Sequence, residues 1–166
     1  MKIFFDSSAL CKYFIVEEGT PEIQKFMADA SGKQGIFLSV SAVTYAEIMA
    51  TLRRARHENR IADSDFMGVV EDFRQQWRKL HVANVGPAVI ERSGILGLNY
   101  TLKGCDAFQL ASALVVGADL FVSSDDDLNN AADQTGMTVW NPVTDIVPQI
   151  SLRMNKMKNV HYQAGR

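Results

Sequence analysis

Cysteine and histidine are scarce in this sequence. Its 166 residues include two cysteines and three histidines, namely Cys11, Cys105, His57, His81 and His161. The cysteines lie far apart and the histidines form no close pair, whereas zinc sites use several thiol or imidazole ligands at short spacing. The composition therefore disfavours a zinc site, and both thiols are expected to be free in a cytoplasmic chain.

Long hydrophobic runs are also missing. No run reaches the roughly 18 apolar residues that a membrane-spanning helix needs. The first apolar stretch, residues 3–5, is too short for the core of a signal peptide and is interrupted at once by Asp6. We therefore expect a cytoplasmic protein that does not associate with membranes.

A third absence is an excess of positive charge. The net charge is −2 and the sequence pI is about 5.9. These values argue against a protein that binds nucleic acid over its whole surface. They are compatible with a local basic patch, and with a site where a metal ion neutralises phosphate groups.

Short strands alternate with helices along the chain. Strands are predicted at residues 2–5, 36–40, 81–85, 119–123 and 137–140, and helices at 7–17, 20–30, 41–56, 87–98, 105–116 and 126–135, with another helix from Asp63 or Ser64. This alternation predicts an α/β fold with a parallel sheet covered by helices on both faces.

The length suits one domain, which we expect to span residues 1–150. Residues 151–166 contain four basic residues and no acid. This basic C-terminal tail is either a frayed end or an arm that contacts RNA.

Four acidic residues could form one site. Asp6 follows the first predicted strand and Asp125 follows the fourth, and ligands of open α/β sheets bind beyond the carboxyl ends of the strands. Glu47 lies in a helix among small neighbours, and Asp106 begins the most apolar helix of the chain. Because clustered carboxylates repel one another, a shared site would need a cation, and carboxylate oxygens suit Mg²⁺ or Mn²⁺.

Each acid also has a simpler interpretation. Asp6 and Asp106 could cap helices or complement the helix dipole. Glu47 could be an exposed residue that pairs with Arg54 or Thr51. The Asp-Asp-Asp run that contains the fourth acid could be a solvated turn leading into a helix.

Four segments carry a family resemblance: FFDSSALCKYFIVEEGT, SAVTYAEIMATLRRA, LKGCDAFQLASAL and FVSSDDDLNNAADQTGMTVWNP. Together the chain resembles PIN-domain ribonucleases, most closely the VapC-type toxins of bacterial and archaeal toxin–antitoxin pairs. The resemblance implies a PIN-like three-layer α/β/α sandwich with a central, mainly parallel sheet. It also implies an endoribonuclease that hydrolyses RNA phosphodiester bonds with metal-activated water.

The resemblance further implies that one acidic quartet is both metal-binding and catalytic: Asp6, Glu47, Asp106 and Asp125. Asp6 would be the central ligand of Mg²⁺ or Mn²⁺, and Asp125 would hold a second ion or its waters. Ser8 and Ser123 fall where the family places supporting hydroxyl residues. The Asp-Asp-Asp run leaves Asp127 as an alternative, although the register of the VSSD stretch favours Asp125.

The partners implied by the resemblance are an RNA substrate, a cognate antitoxin that blocks the site with a basic side chain, and a second copy of the chain in a homodimer. Five basic residues near the motifs could guide RNA or simply form solvated faces: Lys12, Arg53, Arg54, Arg56 and Lys103.

Other functional classes of α/β protein require residues that differ from those of this chain. A phosphoacceptor signalling domain would need a second acid beside Asp6 and a late lysine at the site. A haloacid-dehalogenase-like phosphatase would need an aspartate at position 8, where the chain has Ser8. Two alternatives to a toxin are a PIN-domain RNA-processing nuclease outside a toxin system and a non-catalytic binding or signalling α/β domain. The full set of four acids speaks against the non-catalytic alternative.

Overall fold

The computed structural model describes residues 1–150. Within this range the strands are β1 (Lys2–Phe5), β2 (Phe37–Ser41), β3 (His81–Ala83), β4 (Leu120–Val122) and β5 (Val139–Trp140). The helices are α1 (Ser7–Leu10), α2 (Thr20–Ala30), α3 (Val43–His57), α4 (Phe66–Trp77), α5 (Pro87–Asn99), α6 (Gly104–Val116) and α7 (Asp126–Gln134). The predicted basic tail lies outside the described residues.

The five strands form one sheet in the order β3-β2-β1-β4-β5, and every neighbouring pair is parallel. The predicted parallel sheet is therefore confirmed. From the central strand β1 the chain first builds one side of the sheet and later the other. All strands end at the same edge, here called the carboxyl edge, and the crevice beside β1 is where such sheets bind ligands.

The sheet separates two hydrophobic cores, because successive strand residues point to opposite faces. Ile3 and Phe5 of β1 pack with Phe26 of α2 and with α1, α3 and α4 on one face. Phe4 packs with Leu110 of α6 and with α5 and α7 on the other. This arrangement confirms the three-layer α/β/α sandwich.

The first helix is shorter than predicted. The sequence favours one helix over residues 7–17, but α1 ends at Leu10 and a 3₁₀ turn covers Cys11–Tyr13. The Thr20 hydroxyl donates to the carbonyl of Ile15 at 3.1 Å and accepts from the N–H of Glu17 at 3.0 Å. These bonds close the chain into a loop that is incompatible with a continuous helix.

The helix predicted over residues 41–56 begins two residues later than expected. Ser41 is the last residue of β2, and α3 begins at Val43 without a side-chain cap. The Ser41 hydroxyl instead accepts a hydrogen bond from the buried Ser112 hydroxyl at 3.0 Å. Among residues 1–150, no helix has both the length and the apolar character to cross a membrane.

Candidate active site

Asp6 lies at the carboxyl edge directly after β1 and is only 2% exposed. Its Oδ2 accepts hydrogen bonds from the Ser8 N–H at 3.1 Å and from the Ser8 hydroxyl at 2.6 Å, so that Asp6 caps α1. Burial raises the pKa of the Asp6 carboxyl, and the nearby charge of Glu47 raises it further, whereas the hydrogen bonds of Ser8 and Ser123 oppose these effects.

Two serine hydroxyls join the ends of β1 and β4 around Asp6. Ser123 is fully buried and donates to Asp6 Oδ2 at 3.1 Å, and its oxygen lies 3.2 Å from that of Ser8. The same hydroxyls accept from the backbone of the β4–α7 turn, Ser8 from the N–H of Ser124 at 2.9 Å and Ser123 from that of Asp125 at 3.1 Å. The turn that carries Asp125 is therefore fixed to Asp6.

Glu47 projects from α3 and is half-buried. Its Oε2 accepts a hydrogen bond of 2.6 Å from Nε2 of Gln109 in α6. Its hydrogen-bond partner is thus a buried amide, and neither Arg54 nor Thr51. Gln109 was not predicted as a site residue, although a large polar side chain inside the most apolar helix is a signal for such a role.

Asp106 lies in the first turn of α6 and is partly exposed. Burial raises its pKa, the charge of Asp125 raises it further, Lys103 opposes the shift, and Glu47 adds a smaller increase. Asp106 does not cap its helix, because the N-cap position belongs to Lys103. Its carboxylate therefore lies within the electric field of two other predicted site residues.

Asp125 caps α7, and its Oδ1 accepts from the Leu128 N–H at 2.9 Å. Its charge also acts on Asp106. Asp127 is exposed on the first turn of α7. The contacts therefore favour Asp125 over Asp127 as the fourth acid of the site.

The four acids share one electrostatic neighbourhood at the carboxyl edge. Glu47 acts on both Asp6 and Asp106, and Asp125 acts on Asp106. Among the described residues, no lysine, arginine or histidine forms an ion pair with any of the four. Lys103 acts on Asp106 from a distance but forms no ion pair with it, so the acids here outnumber the basic side chains that act on them.

The donor set suits a hard divalent cation, since it consists of carboxylate oxygens with serine hydroxyls beside them. A ready-made ligand cage is absent: across residues 1–150, no three His, Cys, Asp or Glu side chains stand together as a metal-binding group. Three of the acids each use one carboxylate oxygen in a hydrogen bond within the protein. The donors are Ser8 for Asp6, Gln109 for Glu47 and the Leu128 N–H for Asp125. The residues fit the ion by chemistry and charge, and ligation by this quartet stays a prediction.

Two of the basic residues proposed to guide RNA are engaged elsewhere. Lys12 is buried and pairs with Glu17 at 2.9 Å, so its assignment to an RNA surface is wrong. Arg56 pairs with Asp63 at 2.6 Å, and its guanidinium lies over the Phe66 ring.

The remaining basic candidates, Arg53, Arg54 and Lys103, are exposed.

Both cysteines are free, as predicted. Cys11 is buried, and burial raises the pKa of its thiol to about 12, with a further contribution from Glu17. Cys105, in the first turn of α6, is exposed.

An apolar cavity of about 330 Å³ lies at the opposite edge of the sheet, where the strands begin at Lys2, Phe37 and His81. Its lining is mostly apolar, and Lys2, Ser39 and His81 contribute its polar groups. None of the four predicted acids lines this cavity.

Comparison with known proteins agrees with this geometry. A family model described as the PIN domain matches residues 3–134, a range that contains all four acids. The chain belongs to the PIN-domain family. Ribonuclease VapC45 of Mycobacterium tuberculosis is 28% identical over 115 residues, which are 69% of this chain and 76% of that protein.

Solved PIN-domain structures share the fold. The complex VapBC2 from Rickettsia felis, bound to a DNA fragment from its promoter, gives a TM-score of 0.62 at 11% identity and covers 85% of this chain and 98% of that chain. VapC20 of Mycobacterium tuberculosis, a toxin that cleaves the sarcin-ricin loop, gives a TM-score of 0.59 at 16% identity. The match covers 78% of this chain and 94% of that chain. PIN-domain ribonucleases generally depend on a divalent metal.

Proposed function

We propose that this PIN-domain protein is a metal-dependent endoribonuclease that acts as the toxin of a toxin–antitoxin pair. The observation that carries the proposal is the buried carboxylate of Asp6, which lies beside the charge of Glu47 and forms no ion pair with a basic side chain among the described residues. Glu47 and Asp125 in turn both act on Asp106. The resemblance to a curated protein named as a VapC ribonuclease supports the same activity.

The proposed ligands of Mg²⁺ or Mn²⁺ are Asp6, Glu47, Asp106 and Asp125. Such an ion supplies an activated water and offsets charge on the leaving oxygen. Ser8 and Ser123 hold the Asp6 carboxylate by direct hydrogen bonds. The cap of α7 restrains Asp125, and the field of the remaining acids keeps the site attractive to cations.

Arg54 is proposed to contact a phosphate of the RNA. It follows Glu47 by seven residues in α3, which places it within about 20° of the same helix face and about 10 Å further along the axis. Arg53 is also exposed but lies about 120° away from Glu47 around the helix. A phosphate contact of this kind gives affinity without sequence choice.

An antitoxin that inserts a basic side chain into the acidic site is the proposed inhibitor. Charge-assisted hydrogen bonds to carboxylates are strong, and the quartet offers unpaired carboxylates. The match to VapBC complexes supports an antitoxin as partner. A homodimer is proposed on the family resemblance, and light scattering of the purified protein tests it.

The decisive assay uses purified protein and a mixture of structured RNAs. Cleavage is expected with Mg²⁺ or Mn²⁺, and EDTA should stop it. Asp6→Asn should reduce the cleavage rate at least a hundredfold while the protein stays folded. Asp127→Asn is the matched control, because it removes an exposed acid of the same chain region, and it should cleave like wild type. Equal cleavage by wild type and Asp6→Asn would refute the nuclease proposal.

The toxin role is tested separately. Induced expression should arrest growth, and co-expression of a small protein encoded beside this gene should relieve the arrest. RNA from the arrested cells should show new ends that carry a 5′-phosphate. Metal-dependent cleavage without growth arrest would leave a PIN-domain processing nuclease in place of a toxin.

A further inference from the structure

We propose that Gln109 is a positioning residue that fixes the Glu47 carboxylate for the metal ion. The inference rests on the proposed function, in which Glu47 is a ligand. Gln109 is fully buried in α6, and its Nε2 donates to Glu47 Oε2 at 2.6 Å. The bond joins two helices across 62 positions of the chain.

The Gln109 amide is also anchored by a second buried side chain, and the Glu47 carboxylate selects its orientation. The hydroxyl of Thr44, which is also fully buried, donates to Gln109 Oε1 at 3.1 Å and lies 2.9 Å from Nε2. Rotating the amide by half a turn would place its oxygen against the Glu47 carboxylate, where two acceptors would face each other. The amide therefore presents an N–H to Glu47.

Packing alone does not explain an amide at this position. A buried polar group is unfavourable unless its hydrogen bonds are made, and an apolar side chain of the same size would avoid that requirement. Thr44 and Glu47 together supply partners for the amide. The arrangement is thus suited to holding a carboxylate.

The functional consequence follows from the freedom of a glutamate side chain. Glu47 is half-buried on α3. Without the hydrogen bond from Gln109, rotation about its side-chain bonds would let the carboxylate move away from Asp6 and Asp106. Anchoring Oε2 restricts that motion and leaves lone pairs for a cation. Residues that orient ligands in this way typically change metal affinity or activity by about 10–100-fold when removed.

Ser112 provides a matched control on the same helix. It is also fully buried, and its hydroxyl donates to Ser41 at 3.0 Å. Its hydrogen bond does not involve an acid. Ser112→Ala therefore removes a buried α6 hydrogen bond with no link to Glu47.

The test is the dissociation constant for Mn²⁺, measured by isothermal titration calorimetry on the full chain without RNA. Gln109→Met keeps the side-chain length but lacks the donor, and its Kd is expected to rise about 10–100-fold. Ser112→Ala should bind Mn²⁺ like wild type, although both variants lose a buried hydrogen bond. Glu47→Gln is measured alongside and should weaken binding at least as much as Gln109→Met.

The outcomes separate the two proposals. If Glu47→Gln weakens Mn²⁺ binding but Gln109→Met does not, the positioning role is wrong and the metal site stands. If Glu47→Gln has no effect, Glu47 is not a ligand and both proposals fail at this residue. If Gln109→Met does not fold, Thr44→Val replaces it, since it removes the anchor of the amide. An unchanged Kd in folded Thr44→Val would then overturn the inference.

Discussion

The Ser123 hydroxyl at the end of β4 donates a hydrogen bond of 3.1 Å to the Asp6 carboxylate at the end of β1, across 117 positions of the chain. The site therefore depends on the parallel pairing of two strands as well as on the local hydrogen bonds of Ser8 to Asp6. Because β1 and β4 are adjacent and in register, one hydroxyl can reach the central acid and the turn that carries Asp125.

Ser123→Ala is expected to impair the site. It removes one hydrogen bond to buried Asp6 and leaves the Asp125 N–H without its acceptor, at a cost of about 1 kcal/mol of stability. RNA cleavage should fall roughly tenfold, as for other residues that orient ligands.

Ser124→Ala is the matched control for this change. The Ser124 hydroxyl is buried and has no hydrogen-bond partner within residues 1–150, so its loss should not reduce cleavage. Initial rates at saturating Mn²⁺ compare the two variants. Equal rates would mean that the Ser123 hydroxyl does not orient Asp6.

Asp106→Asn should stabilise the metal-free protein at alkaline pH. Burial and the charge of Asp125 raise the pKa of Asp106 above its ordinary value of 3.8. The folded protein then holds this proton more tightly than the unfolded chain, so stability is lost as the pH rises from 3.8 through the raised pKa. In EDTA at pH 8 the variant should melt at a higher temperature than wild type, and this advantage should shrink as the pH falls toward 4.

The exposed acid Asp127 is again the control, and Asp127→Asn should leave the melting temperature nearly unchanged. Circular dichroism melts at both pH values give the answer. A lower melting temperature for Asp106→Asn at pH 8 would show that its charge is already compensated in the metal-free protein.

Added metal should reverse the order of stability. Wild type gains about 2.7 kcal/mol when Mn²⁺ is present at 100 times its Kd, because only the folded state binds the ion. Asp106→Asn should gain less, since it lacks one proposed ligand. Melts with and without Mn²⁺ test this expectation, and equal gains would remove Asp106 from the ligand set.

Lys12→Met should weaken the fold and spare RNA binding. The change leaves Glu17 with one longer ion pair, to Arg60 at 3.5 Å, and with a hydrogen bond from the Cys11 thiol at 3.6 Å. Because Glu17 is 30% exposed, the cost should be about 1–3 kcal/mol, below that of a fully buried broken pair. Denaturant unfolding measures this loss, and a KM for RNA equal to that of wild type at low temperature is expected. A raised KM with unchanged stability would restore Lys12 as an RNA contact.

Arg54→Ala should weaken RNA binding uniformly across sequences and reduce the slope of log K against log salt by about one unit or less. Arg53→Ala removes the same charge from a different face of α3 and should have a smaller effect. Fluorescence anisotropy with Asp6→Asn protein, which keeps the RNA intact, compares the two. An equal loss of RNA affinity in the two variants would indicate a general charge effect and would contradict a specific phosphate contact by Arg54.

The sequence predicted much of the fold. Short apolar runs indicated the positions of β1 and β4, with Asp6 directly after the first run and Asp125 after two serines that follow the second. Parallel topology then brings Asp6 and Asp125 to the same edge without further information. The helix around Asp106 was recognisable because nearly all of its neighbours are apolar.

The missed features depend on tertiary contacts. Gln109 reaches Glu47 only because α3 and α6 pack against each other, and local sequence periodicity does not predict this contact. Lys12 was taken as a surface residue because lysine is seldom buried without a partner. Glu17 supplies that partner through a turn that replaced part of the predicted first helix.

The central claim is that the acids at positions 6, 47, 106 and 125 bind one or two divalent ions together. Anomalous diffraction from crystals soaked in Mn²⁺ tests it most directly. An anomalous peak is expected within about 2.5 Å of a carboxylate oxygen of Asp6 and of at least one of the other three acids. A fully soaked crystal with no peak at the carboxyl edge, or with Mn²⁺ bound only elsewhere, would contradict it.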